Sequence, residues 1–318
     1  MRIVLWVSAL LLIAHPAYAT FAIAAIDPAN GDFGVAVASA AVAIGARVPE
    51  GEAGVGIIAT IGNPTYKRKG LELLRSGLSA QQVLDRLLAE DRFEGGDNRQ
   101  VVIIDVKGNV AARVGPNAQQ ANGVRRGKTY AVIGNGVIGV HVLDAIAAEF
   151  EKSSGELTER LYAALKAGAL AGGDRQPDTA TAIFAIRKQY NDDDLYVSVR
   201  VDSHADPFHE LRRVLDLQLG RNYVGLRNYL VENGKTMEAL AAAEKAVHYE
   251  PVVGTNHLHL GFLSYLAGQQ DRAQQAFTAA RHLTPNFSQA WEAALKNPDF
   301  KAYVRIRDDQ AFVKRVMN

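Results

Sequence analysis

The sequence predicts an α+β fold, a layered sandwich of strands and helices, followed by an all-α helical-repeat domain. Two observations predict it. Residues 20–201 show the order strands, two helices, strands, two helices, strands, which is typical of a layered sandwich. After Asp206-Pro207 the pattern is entirely helical and repeats with a period of about 34 residues. The chain of 318 residues, 48% hydrophobic and 22% charged, is long enough for two such cores.

Residues 1–19 are predicted to form a secretory signal peptide. Arg2 supplies the positive start, residues 3–14 the apolar core, and Ala17-Tyr18-Ala19 a small-x-small cleavage site. The apolar run is shorter than the roughly 20 residues that span a bilayer. We therefore expect cleavage after Ala19, no membrane attachment afterwards, and a periplasmic location, with an extracellular destination left open.

The amino-acid composition and motifs exclude several kinds of partner, nucleophile and binding site. Lys plus Arg (35) nearly balance Asp plus Glu (34), and no basic stripe is present, so nucleic acid is not an expected partner. The absence of cysteine excludes disulfides, thiolate metal sites and a cysteine nucleophile. Gly134–Gly139 matches the dinucleotide-binding motif G-x-G-x-x-G, but no strand with an acidic end follows it, so no cofactor is expected. His204 and His209 lack the spacing of metal ligands, so no metal is expected.

The mature protein is predicted to begin with a β-hairpin. Strands at 20–26 and 33–39 flank the turn residues 27–32, and a third strand at 54–61 runs into Gly62-Asn63, where Asn63 can cap a helix. The remaining elements follow from periodicity. They are helices at 65–76 and 80–90, strands at 100–106, 110–114 and 129–133, helices at 140–152 and 157–171, and strands at 179–187 and 195–201.

The C-terminal third shows internal similarity when residues 220–253 are aligned with 254–287. This alignment pairs Leu226 with Leu260, Ala239 with Ala273, Ala246 with Ala280, and Pro251 with Pro285. Together with Gly261 and Phe277, these positions resemble the tetratricopeptide repeat. Trp291 opens a partial third unit, and the terminal stretch is expected to cap the array. We place the repeat domain at 217–318, where it either recruits a protein partner or acts as a packing cap.

The predicted cleavage exposes Thr20 as the first residue. An N-terminal threonine carries a hydroxyl that can attack a carbonyl and an α-amine, with an ordinary pKa of about 7.7–8.0, that can take its proton. Because Thr20 also begins a strand, the new terminus would be fixed on a sheet. Thr20 is therefore the candidate nucleophile.

Short blocks across residues 20–216 resemble the domain of unknown function 1028 family, which is grouped with the Ntn hydrolases. The blocks are residues 20–25, 34–39, 54–56, 59–60, 70–74, 99–100, 134–135, 172–174, 201–204 and 206–207. The resemblance implies an Ntn-hydrolase-like four-layer αββα sandwich with Thr20 at the sheet edge. By the wider analogy to Ntn hydrolases it implies cleavage of an amide.

Further site residues are expected around Thr20. Gly62 and Asn63 open a helix whose N–H groups can stabilise an oxyanion, and Asn135 can donate its side-chain amide. Ser39 and Asp174 can orient the α-amine or a bound substrate. Each also has a structural interpretation: a helix cap for Gly62-Asn63, a glycine-rich turn for Asn135, the end of a strand for Ser39, and a turn carboxylate for Asp174.

Two departures from the family pattern leave two functions open. Ala40 stands where the family usually has arginine, and Ile61 where it usually has glutamine. The first hypothesis is an exported Ntn-type amidohydrolase acting on an amide-containing small molecule or peptide. The alternative is a non-catalytic envelope protein that binds a protein partner through its repeats. The sequence leaves the substrate and the oligomeric state open.

Overall fold

A computed structural model describes residues 18–63, 65–93, 95–189 and 194–317. Most of the predicted signal peptide therefore lies outside the described residues. Within them, no helix has the length and apolar character needed to cross a lipid bilayer. The chain folds as an α+β part with two antiparallel sheets, followed by helices only.

The strands lie in two antiparallel sheets. In chain order they are β1 (Thr20–Asp27), β2 (Asp32–Ser39), β3 (Pro49–Glu52), β4 (Gly56–Ile61), β5 (Gln100–Asp105), β6 (Val110–Val114), β7 (Gly123–Arg126), β8 (Tyr130–Asn135), β9 (Ala180–Ile186) and β10 (Leu195–Val201). The first sheet has the order β10-β9-β2-β1-β8-β7, and the second has the order β3-β4-β5-β6. The strand β1 is thus central in the larger sheet, and it is buried along nearly its whole length.

The helices flank the sheets and then form the C-terminal helical domain. They are α1 (Ile44–Arg47), α2 (Thr65–Arg75), α3 (Ala80–Ala89), α4 (His141–Lys152), α5 (Leu157–Leu170), α6 (Pro207–Glu232), α7 (Thr236–Tyr249), α8 (Gly254–Leu266), α9 (Gln270–Leu283), α10 (Phe287–Lys296) and α11 (Gln310–Met317). A short 3₁₀ turn covers Gly96–Asn98, and a longer one, the C-terminal 3₁₀ segment, covers Pro298–Asp308.

The pleat of β1 divides the core into layers, because successive side chains point to opposite faces. Ala22 and Ala24 pack with residues of the second sheet such as Val102, whereas Phe21 and Ile23 pack against α4 and α5. The outer face of the second sheet is covered by α2 and α3. The packing order is therefore helices, sheet, sheet, helices.

Most predicted elements are confirmed, including the hairpin of β1 and β2 and the two helix pairs α2–α3 and α4–α5. Three short elements were not predicted: α1, β3 and β7. In β3 the reason is the local sequence. It reads Pro-Glu-Gly-Glu, which is only half-buried and shows no apolar alternation.

The helix α6 joins the two parts of the molecule. Asp206 caps it by accepting a hydrogen bond from the His209 N–H at 3.2 Å, as the Asp-Pro pair predicts. Its first half packs Leu215 against the sheet-bearing core, and its second half packs Leu230 into the core of the C-terminal helical domain. The predicted boundary between residues 216 and 217 falls inside this helix. The two cores thus share one continuous helix.

The core of the C-terminal helical domain is aromatic. Phe262 contacts Phe277, Trp291 and Tyr303 with ring centroids 5.1, 4.6 and 4.6 Å away. Gly261 permits the close packing of α8 on α9, since a Cβ at this position would lie 2.5 Å from the Phe277 ring. The C-terminal 3₁₀ segment folds back onto this core through Phe300, Tyr303 and Ile306.

Leu215→Ala is expected to lower the free energy of unfolding by about 2–5 kcal/mol, because the residue is fully buried beneath the first sheet. Leu217 lies two residues along the same helix and is 36% exposed, so Leu217→Ala is the matched control, with an expected change within about 0.5 kcal/mol. Urea unfolding followed by circular dichroism measures both. Equal, small effects would contradict the packing assigned to α6.

Candidate functional site

Thr20 lies at the start of the central strand between two polar neighbours. Its cross-strand partners are Ser39 on β2 and Asn135 on β8. In each strand the residue two positions away packs in the layer between the sheets, so all three polar side chains face that layer. The fold therefore brings together three of the six residues singled out from the sequence.

A short chain of hydrogen bonds fixes the Thr20 hydroxyl. Ser39 Oγ lies 2.8 Å from Thr20 Oγ1, donates to the Ala19 carbonyl oxygen at 2.8 Å, and accepts from the Ala41 N–H at 3.0 Å. Because the single hydroxyl hydrogen of Ser39 goes to Ala19, Thr20 is the donor in the bond between the two hydroxyls. The orientation of the Thr20 hydroxyl thus depends on the residue that precedes it.

Asn135 presents an amide group without a described partner. The residue is 4% exposed, and its Nδ2 makes no hydrogen bond to the described residues. Buried polar atoms are nearly always hydrogen-bonded, so such an atom beside a candidate nucleophile is typical of a site that receives a ligand or water.

Gln100 carries a second buried amide with an unpaired atom, and no role was predicted for it from the sequence. It pairs with Ile61 across β5 and β4, and the alternation of β5 turns it toward the first sheet, where Val102 packs. It is 3% exposed, and its Oε1 has no hydrogen-bond partner in the described part of the chain. Its position as a glutamine at the start of an otherwise apolar strand could have identified it as a candidate site residue.

The end of β4 is linked to the connection that follows Ser39. The Thr60 N–H donates to the Val48 carbonyl at 3.1 Å, and Val48 ends the short connection that follows Ser39. Ile61 is partly buried and packs against the core between the sheets. Gln100, its cross-strand neighbour, places a buried side-chain amide at this edge.

Asn63 is occupied by structural contacts. Its Oδ1 accepts from the Thr65 N–H and hydroxyl at 2.9 and 2.8 Å, which caps α2, and its Nδ2 donates to Asp91 at 3.1 Å. Asp91 in turn pairs with the buried Arg99 at 2.8 Å. Although burial opposes ionisation, hydrogen bonds from Arg99 and others hold the pKa of Asp91 well below its usual range.

Gly62 precedes this cap with φ +96°, a conformation that favours glycine. It is exposed, and its described surroundings are Arg99 and Asn98. Gly62 is thus an exposed residue at the entry to α2, and Asn63 is held by the helix cap.

The loop 172–179 crosses the start of β1. On one side Arg175 N–H donates to the Gly136 carbonyl at 3.0 Å, and Asp174 bridges to Val137, just beyond β8. On the other side Thr179 N–H donates to the Ser39 carbonyl at 3.0 Å, at the end of β2. Because β1 lies between β8 and β2, the loop spans the N-terminal side of Thr20.

This loop carries an acid pair, the buried Asp174 and the partly buried Asp178. Asp174 is 7% exposed, and neither of its carboxylate oxygens has a well-formed hydrogen bond to the described residues. Burial, and then the nearby Asp178 carboxylate, raise the pKa of Asp174 to about 10, and burial raises the pKa of Asp178. Both shifts favour the protonated form of the two carboxyl groups. Asp178 was not singled out from the sequence, since a loop gives no periodic signal.

Residue 19 fills the space in front of the site. Ala19 and Thr20 are each 1% exposed, and a Cβ at Gly136 would lie 2.9 Å from the Ala19 Cβ. Among the described residues, no group of three histidine or acidic side chains is arranged to hold a metal ion.

Comparison with known proteins gives one family. Residues 20–211 match the family described as Family of unknown function (DUF1028). The crystal structure of protein SPO2555 from Silicibacter pomeroyi, assigned to the same family, is similar with 27% sequence identity and a TM-score of 0.57, covering 62% of this chain and 84% of that one. No curated protein matches the sequence.

Proposed function

This chain belongs to the DUF1028 family, and from that membership and the geometry around Thr20 we propose that it is an exported amidohydrolase of the Ntn type. In this proposal the four packed layers are an Ntn-hydrolase-like αββα sandwich. Removal of residues 1–19 by signal peptidase exposes the Thr20 α-amine in the periplasm.

One observation carries the proposal. Thr20 opens the central buried strand with its hydroxyl bonded to Ser39 at 2.8 Å and an unpaired amide of Asn135 beside it. A residue chosen only for packing at this position would be apolar, as residues 21–26 of the same strand are. The polar neighbours on both flanking strands support a chemical role.

The proposed reaction needs no group from outside the chain except water. Thr20 Oγ1 attacks the carbonyl carbon of an amide as the α-amine takes the hydroxyl proton. The Asn135 side-chain amide and the Gly62 N–H stabilise the oxyanion. The carbon–nitrogen bond then breaks, the leaving amine receives the proton from the α-ammonium, and water hydrolyses the ester on Thr20 to regenerate the hydroxyl.

The acid pair fits the α-amine. Cleavage after Ala19 creates a cation on the strand that the loop 172–179 crosses, and the carboxylates of Asp174 and Asp178 lie in that loop. A carboxylate beside the α-ammonium stabilises it during the transfer. Cleavage also removes the carbonyl that accepts from Ser39, which frees that hydroxyl to orient the α-amine or Thr20 Oγ1.

A β-lactone probe tests the nucleophile without knowledge of the substrate. We expect the chain that begins at Thr20 to gain the mass of one lactone, with the adduct on Thr20 by peptide mapping. In this step the Thr20 oxygen forms an ester bond, the ring carbon–oxygen bond breaks, and the released alkoxide takes the proton. The matched control is the chain that retains Ala19, in which the nitrogen of Thr20 is in a peptide bond and cannot act as a base. Equal labelling of both chains, or an adduct elsewhere, would contradict the proposal.

The tetratricopeptide-like character of the C-terminal helical domain is part of the proposal, with the domain recruiting a substrate or a protein partner. The alternative, a non-catalytic envelope binding protein, rests on Ala40 and Ile61 in place of two polar side chains. If no amide in a panel of substrates is hydrolysed and Thr20 is not labelled by the β-lactone, the binding-protein alternative is favoured.

A further inference from the structure

The C-terminal helical domain holds a buried arginine that has only neutral partners among the described residues. Arg227 on α6 is 3% exposed. Its Nε and Nη2 donate to Asn228 Oδ1 at 3.1 and 2.7 Å, and its Nη1 is buried without a hydrogen-bond partner in the described part of the chain. By contrast, Arg212 and Arg213 of the same helix each pair with a carboxylate.

The residues that surround Arg227 come from two other elements. Tyr303 of the C-terminal 3₁₀ segment and His259 of α8 face it, with His259 Nδ1 3.1 Å from Tyr303 Oη. The ring of Phe300 meets the His259 ring edge-on at 4.8 Å. Burial, and then the Arg227 guanidinium, lower the pKa of His259 well below its usual value. The cluster therefore contributes one positive charge and no negative one.

A buried guanidinium without a counter-charge is strongly destabilising, because it has lost its water and gained no opposite charge. Burial lowers the pKa of Arg227 to about 10, so the side chain is still protonated at neutral pH. A water molecule can accept a hydrogen bond from Nη1 but cannot balance the positive charge of the guanidinium.

We propose that Arg227, together with His259 and Tyr303, forms a binding site for a small monovalent anion, of the size of chloride or a carboxylate group. Tyr303 is fully buried and Phe300 is 7% exposed, so the occupant is enclosed, which favours one charge and few atoms over phosphate. The anion holds the C-terminal 3₁₀ segment against α6 and α8. This site is independent of the chemistry at Thr20.

Thermal unfolding of the chain 20–318 in different sodium salts tests the site. Chloride or acetate is titrated while the sodium salt of HEPES, whose anion carries a bulky ring, keeps the ionic strength constant. We expect the unfolding midpoint to rise with the logarithm of the anion concentration above the dissociation constant, by about 5 °C at 100 times that constant. Calorimetric titration should show one anion bound per chain. An unfolding midpoint that does not change with anion concentration, or a calorimetric titration without heat of binding, would overturn the proposal.

Arg227→Met and Arg221→Met separate the site from general salt effects. Arg221 lies on the same helix and is exposed, so its variant should respond to anions as the parent does. Arg227→Met should lose the response and, in buffer without small anions, unfold at or above the parent's midpoint, because it removes an unbalanced charge. An Arg227→Met protein that keeps the anion response would contradict the assignment. If that variant is not recovered folded, the calorimetric titration of the parent decides alone.

Discussion

Replacing Thr20 by alanine is expected to abolish amide hydrolysis by this chain while its fold persists. The substitution removes the oxygen that attacks the carbonyl, so kcat should fall by at least about a thousandfold. The cost to the fold is small, because one hydrogen bond to Ser39 is lost, worth about 1 kcal/mol. The measurement is turnover of whichever amide the parent cleaves, together with urea unfolding.

Two variants control for indirect effects. Thr20→Ser keeps a hydroxyl and should retain measurable turnover. Thr181 is fully buried on β9 and also makes one hydrogen bond, to the Pro207 carbonyl at 3.0 Å, so Thr181→Ala loses the same kind of contact on the opposite face of the sheet from the Thr20 side chain. Its turnover should match the parent's. An active Thr20→Ala protein would show that Thr20 is not the nucleophile.

The acid pair predicts a stability that falls as pH rises in the chain that retains Ala19. The folded chain holds Asp174 with a pKa of about 10, whereas the unfolded chain ionises it near 3.8. Unfolding therefore releases a proton between these values, and the free energy of unfolding should drop by up to about 1.4 kcal/mol per pH unit. Below pH 4 the effect is absent, since both states are protonated. Urea unfolding at pH 5, 6, 7 and 8 measures the slope.

Three comparisons sharpen this test. Asp174→Asn should flatten the slope, whereas Glu72→Gln, which removes an exposed carboxylate, should leave it unchanged. The chain that begins at Thr20 should show a weaker slope than the Ala19-bearing chain, because the α-ammonium stabilises the carboxylate. Identical slopes with and without the free amine would contradict the placement of the acid pair beside it.

The parts of the fold that local chemistry determines could be predicted from the sequence. The turn residues 27–32 and the alternation around them predict the hairpin, and its register places Ser39 opposite Thr20. Asp206-Pro207 predicts the start of α6. By contrast, β3 has too little apolar pattern to be recognised, and its position depends on pairing with β4.

The site residues at strand ends and Asp174 could be singled out from the sequence, whereas Asp178 could not. Asn135 reaches Thr20 through strand pairing, but Asp178 reaches Asp174 because Thr179 anchors the loop to Ser39, a contact between residues far apart in the chain. Asn63 was predicted to cap a helix, and that contact is confirmed. The catalytic roles of these residues, the signal peptide and the tetratricopeptide resemblance stay predictions. The isolation of Arg227 gives no sequence signal, since it arises from where the C-terminal 3₁₀ segment packs.

The central claim, a nucleophile activated by its own amine, is tested most directly by the N-terminal sequence and intact mass of the protein recovered after export from cells that express the full chain. We predict a single species that begins with unmodified Thr20. A chain that begins at another residue, or whose terminal amine is blocked, would contradict the mechanism and leave the binding protein as the better account.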